Sequence, residues 1–113
     1  MKKMSKFVSL VLAMMLVLSM GSVAAAEGAL KIGFIGPLTG AAAVYGTSAM
    51  QGGQIAVDEI NAMGGTQFEL KYEDDTHDAE KAVNAYNTLK DWGMQISLSS
   101  VTSKPAEATS AEN

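Results

Sequence analysis

At 113 residues and 11.8 kDa, the chain has room for one small domain or for part of a larger one. It has no cysteine, which excludes disulfides, zinc–cysteine sites, thiol nucleophiles and a lipid-modified N-terminal cysteine. A formal charge of −4 with no arginine argues against nucleic acid as a partner, because phosphate binding draws on clustered Lys and Arg.

Residues 1–26 read as a secretory signal peptide. Lys2, Lys3 and Lys6 open it, and an uncharged, mostly apolar run, Phe7 to Met20, follows. Gly21 and Ser22 are helix breakers, and Ala24-Ala25-Ala26 is a small-residue cleavage site, with the cut placed before Glu27. The rival reading is a membrane anchor. A spanning helix wants about 20 apolar residues, and Ser9, Ser19, Gly21 and Ser22 interrupt this run. The leader holds 18 apolar residues among 26, whereas residues 27–113 hold 36 among 87, so the positive mean hydropathy comes largely from the leader. Residues 27–113 keep five lysines and all twelve acidic residues, a formal charge of −7. Such a surface keeps an exported protein soluble and disfavours anionic membranes.

Leu30 to Ile35 is an apolar run closed by Gly36-Pro37 and reads as a buried strand. Gly36 to Gly46 reads as a loop of small residues. A helix is predicted from about Thr47 to Met63, with Ala49, Gly53, Ala56, Val57, Ile60 and Met63 three or four apart. Gly64-Gly65 ends it. Phe68 to Tyr72 alternates with period two, which predicts a strand with one wetter face at a sheet edge. After the acidic turn 73–78, Asp78 is an N-cap for a helix from Ala79 to Trp92, and Gly93 stops it. Gln95 to Leu98 reads as a third strand and Ser99 to Ser103 as a hydroxyl-rich loop. A last helix is predicted with Pro105 at its first position and Thr102 or Ser103 as its cap, and it runs toward Asn113.

The order β-α-β-α-β-(α) predicts an α/β fold, a parallel sheet with helices on its faces. With strand order 2-1-3, the crevice where that order reverses lies beyond the carboxyl ends of the first and third strands. Two loops face it. One offers Tyr45. The other offers Ser99, Ser100, Thr102 and Ser103 at a helix start, where N–H groups and hydroxyls suit a carboxylate. Taken singly, the hydroxyls read as caps and Tyr45 as packing. Their convergence at one switch point is what suggests a ligand site.

Catalytic patterns are missing. Gly33-Phe34-Ile35-Gly36 is not a dinucleotide fingerprint, Gly40 to Ser48 lacks a P-loop lysine, and no G-x-S-x-G elbow occurs. A metal at His77 with Asp74, Asp75 and Asp78 lacks a second His or Cys and the EF-hand spacing. The plainer reading of that segment is a strand end and a helix cap, with carboxylates beside a helix N-terminus. No cofactor is expected.

The runs KIGFIGPLTGAAAVYG (31–46), AVDEIN (56–61) with Gly64-Gly65, and YEDDTHDAEKAVNAYNTL (72–89) together resemble the solute-binding proteins of branched-chain amino acid ABC transporters. These are type I periplasmic binding proteins of the Leu/Ile/Val class. The resemblance implies two α/β lobes that close on an amino acid and deliver it to a membrane permease, with no chemistry. It implies that Tyr45 packs against the ligand and that the loop Ser99–Ser103 holds the ligand carboxylate, chiefly through Ser100 and Thr102. The family usually has glycine near the end of the third strand, where this chain has Ser97-Leu98-Ser99. Members are several times longer, so residues 27–113 correspond to the N-terminal part of the first lobe. Alone, that part is expected to be poorly stable and to bind amino acids without useful affinity. The full-length protein is expected to be exported, soluble and monomeric. A sensory receptor domain of the same fold, and a secreted flavodoxin-like enzyme, are the alternatives.

Overall fold

A computed structural model describes residues 2–21 and 28–112. The proposed cleavage site at Ala24–Glu27 and the terminal Asn113 lie outside the described residues. Helix α1 (Lys2–Gly21) packs against no other element among the described residues, and residues 2–12 are exposed along it. No helix among the described residues is long and apolar enough to cross a membrane.

The remainder alternates β1 (Leu30–Gly36), α2 (Ala43–Ala62), β2 (Phe68–Asp74), α3 (Ala79–Trp92), β3 (Ile96–Leu98) and α4 (Ser103–Ser110). The sheet is parallel with order β2-β1-β3, as the sequence predicts. Leu30 to Gly36 pair with Phe68 to Asp74 along their whole length, whereas β3 joins β1 only from Ile32↔Ile96 to Phe34↔Leu98.

Side chains along a strand alternate between faces, and this sorts the helices. Ile35 and Gly33 face α3, where Ile35, Ala82, Ala85, Tyr86 and Leu89 form the buried cluster and Trp92 and Met94 pack on it. Phe34 and Leu70 face the other way, toward α2, whose Val57 is buried and whose Gly53 sits against Leu70. Helix α4 packs on α3. The α3 amphipathic stripe is therefore the backbone of the core. Its Asp78 cap accepts the N–H of Lys81, and Gly93 takes the left-handed conformation (φ 98°) that ends it.

Three expectations are corrected. Helix α2 starts at Ala43, four residues before Thr47, so residues 43–46 are its first turn and not a loop. Ala41-Ala42-Ala43 are strong helix formers, and the turn bond from Ala43 N–H to the Gly40 carbonyl launches them. Gly46 permits this early start, since a Cβ there would lie 1.9 Å from the carbonyl oxygen of the buried Pro37. The second correction concerns α4. Pro105 is its third residue rather than its first, which is tolerated because the opening N–H groups of a helix have no intrahelical partner. Third, the helix stops at Ser110, with Ala111 at its cap position.

Candidate ligand site at the carboxyl ends of the strands

Beyond the carboxyl ends of β1, β2 and β3, three connections are tied together by two adjacent carboxylates. Asp74 closes β2 and reaches the connection after β1. Its Oδ1 accepts the N–H of Leu38 and the N–H of Thr76, both at 2.8 Å, and its Oδ2 accepts the Thr39 hydroxyl. Burial pushes its pKa up, but the hydrogen bonds from Thr39, Leu38 and Thr76 outweigh this and hold it below 3.8.

Asp75 reaches the opposite way and is wholly buried. Its Oδ1 accepts the N–H of His77 at 2.8 Å, and its Oδ2 accepts the Ser100 hydroxyl at 3.3 Å. Its own N–H donates to the Gly36 carbonyl, and its carbonyl accepts from Asp78 N–H. Two successive Asx turns result, which hold Thr76 (φ 48°) and His77 (φ 62°) in the left-handed region that non-glycine residues seldom occupy.

The β3–α4 connection supplies the hydroxyls. The Ser99–Ser100 peptide bond is cis. Ser99 donates to Ser100 Oγ at 3.4 Å and lies 2.6 Å from Thr109 Oγ1. Thr102 sits at the α4 cap position with extended backbone, yet its side chain makes no capping bond. Its Oγ1 lies 2.9 Å from His77 Nδ1 instead. The first N–H groups of α4 are thus left without a side-chain cap, at the positive end of the helix. The connection leading into α4 also borders an open depression of about 280 Å³, bounded by Phe34, Leu98, Ser99, Ser100 and Val101. One end of this area suits a carboxylate and the other an apolar group.

The structure places the four sequence-predicted residues unevenly. Ser100 and Thr102 meet in one hydrogen-bonded group with Asp75 and His77. Ser103 is exposed as the first residue of α4. Tyr45 lies on the first turn of α2, 66 % exposed, and does not line the Phe34–Leu98 depression. In sequence, Asp74, Asp75 and His77 read as a strand end and helix-cap surroundings. The available signal was Asp-Asp followed by Thr-His, two Asx residues each able to fold back on the N–H two positions on. Among the described residues, no group of three or more His, Cys, Asp or Glu is placed to hold a metal ion. Asp74 and Asp75 are instead engaged with backbone N–H groups.

The sequence pattern of the family described as periplasmic binding protein matches residues 29–111. The chain belongs to that family. Among curated relatives, the Leu/Ile/Val-binding protein BraC3 of Rhizobium johnstonii is 38 % identical over 104 residues, covering 87 % of this chain and 28 % of that protein. A leucine-, isoleucine-, valine-, threonine- and alanine-binding protein of Pseudomonas aeruginosa is 31 % identical over 110 residues, covering 95 % and 30 %. The chain thus spans under a third of the length of these relatives. Among solved structures, the branched-chain amino acid transporter substrate-binding protein LivJ of Streptococcus pneumoniae, in complex with isoleucine, superposes with a TM-score of 0.69. Identity is 33 %, over 74 % of this chain and 25 % of that one. A fatty acid ABC transporter substrate-binding protein of Thermomonospora curvata gives a TM-score of 0.63 at 28 % identity, over 74 % and 22 %. The fold is therefore the expected partial first lobe of a type I periplasmic binding protein, an αβα arrangement on a 2-1-3 sheet.

Proposed function

We propose that this chain is the N-terminal part of the first lobe of an exported binding protein that captures a small amino acid of the branched-chain type and presents it to an ABC permease. Residues 1–26 act as the export signal in this reading, and residues 27–113 as the lobe segment. The observation that carries the proposal is the uncapped start of α4, together with the Ser100 hydroxyl and the apolar Phe34–Leu98 depression on the connection leading into it. The α4 N–H groups, Ser100 and Thr102 surround the ligand carboxylate, and the depression takes part of its side chain. The names of the relatives favour the same class: two bind branched-chain amino acids, and the fatty-acid protein shares with them a ligand that carries a carboxylate. Tyr45 and Ser103 are rim contacts that come into play on closure. The mechanism is lobe closure on the ligand, driven by tighter binding in the closed state, with no bond made or broken. In this reading the ammonium contacts come from a second lobe, so the segment 27–113 alone binds weakly.

Titration of isoleucine into the chain, followed by amide NMR, tests this. Shifts concentrated at Phe34 and Ser99–Ser103 at millimolar ligand support the reading. Shifts scattered over the surface, or none in those residues, overturn it.

A further inference from the structure

Asp75 is buried, chargeable and unused by a pure capture mechanism, and what it holds bears on the site just proposed; the inference rests on that reading. Asp75 is fixed through its backbone to Gly36 and Asp78 and through Oδ1 to His77 N–H. That leaves Oδ2 for one partner, the Ser100 hydroxyl. Ser99 is engaged chiefly elsewhere, 2.6 Å from Thr109 Oγ1 against 3.4 Å from Ser100 Oγ, so Ser100 gives its hydrogen to the Asp75 carboxylate. A carboxylate only accepts, and a serine has one hydrogen. A ligand carboxylate at the start of α4 is likewise an acceptor, so it can engage Ser100 as a donor only by taking that hydrogen from Asp75.

We propose that Asp75 is a positioning residue that sets affinity by competing with the ligand carboxylate for the single hydroxyl hydrogen of Ser100. The distances suit a hold that can be released. The Ser100 bond is 3.3 Å, long for O–H···O, whereas the His77 bond is an ordinary 2.8 Å. When Ser100 turns to the ligand, Asp75 keeps its backbone bonds and His77, and the β2–α3 turn stays in place. A purely structural Asp75 would hold the turn and have no separate effect on ligand.

The test uses NMR on the 113-residue chain. Without ligand, three-bond couplings report the Ser100 side-chain rotamer. It is fixed in the native chain and averaged in Asp75→Ala, or in Asp75→Val should the alanine variant unfold, since neither side chain can hydrogen-bond Ser100. A rotamer equally fixed without the Asp75 carboxylate overturns the proposal. With ligand, Asp75→Asn keeps the size and one acceptor for His77 but presents an amide donor to Ser100. Isoleucine and isovalerate, the latter carrying the carboxylate without the ammonium, then bind roughly threefold more tightly, the worth of a modest hydrogen bond. The gain vanishes in Asp75→Asn/Ser100→Ala relative to Ser100→Ala. Weaker binding in Asp75→Asn, or a gain that survives loss of Ser100, overturns the proposal. Response to isovalerate but not to isoleucine sinks the amino-acid reading while the competition stands. Response to neither sinks both, since competition requires a carboxylate at Ser100.

Discussion

Helices α3 and α4 both follow an extended residue that suits a cap, yet they are built to different ends. At α3, Asp78 caps Lys81 N–H, Gly93 closes the far end, and Ala82, Ala85, Tyr86 and Leu89 are buried against Ile35. At α4, Thr102 occupies the same position but turns its hydroxyl to His77, and the strand before it, Ile96–Leu98, is exposed at all three residues. Local polar groups close the first helix on itself. In the second they are drawn sideways into contacts between loops. The difference separates a helix closed on itself from one whose start is tied to a neighbouring connection.

The contrast can be broken from either side. Leu89→Ala, at a side chain with no exposure, removes buried packing and costs about 2–5 kcal/mol, read as a fall in the urea midpoint. Next in size is the pair of cap variants. Asp78→Ala loses about 1 kcal/mol. Thr102→Ala stays within about 0.5 kcal/mol, because no capping bond is lost. Equal losses would erase the distinction between the two helices.

The Asp74 clamp adds a pH signature. Its folded pKa lies below the unfolded value, so its contribution is complete above 3.8 and fades as pH falls below it. Acid unfolding curves of the native chain and Asp74→Asn should therefore converge at low pH, with the variant less stable above 3.8. A constant gap across that range would show that the carboxylate charge contributes nothing. The smallest change in stability is expected from Leu98→Lys on the edge strand, 47 % exposed at that side chain. It should lower self-association in sedimentation while leaving the urea midpoint nearly unchanged.

Much of the scaffold was legible because its signals are local and repeated. The α3 stripe recurs at helical spacing, Asp78 and Gly93 are unambiguous end signals, and Phe68 to Tyr72 alternates in polarity, although burial follows that alternation only as far as Leu70. The start of α2 at Ala43 is hidden because Gly46 reads as a breaker in sequence. Its value lies in a contact with Pro37, nine positions earlier, that no window of sequence displays. The candidate site was legible only as a hydroxyl-rich loop before a proline. Which hydroxyl faces which partner depended on residues about 25 positions away: Asp75 for Ser100, and His77 for Thr102.

Sequence by itself determined the alternation of elements, the parallel sheet, the leader-like first segment and the family, since periodicity, caps and motif runs are properties of neighbouring residues. Only the tertiary structure decided that Asp74 and Asp75 turn opposite ways to bind the connections after β1 and β3. It also decided that Thr102 leaves its helix uncapped and that Tyr45 rides on a helix. The physical reason is the same in each case. A hydrogen bond or a close contact is chosen by what the folded chain brings within reach, and polar side chains with several possible partners settle only when the strands have set those distances.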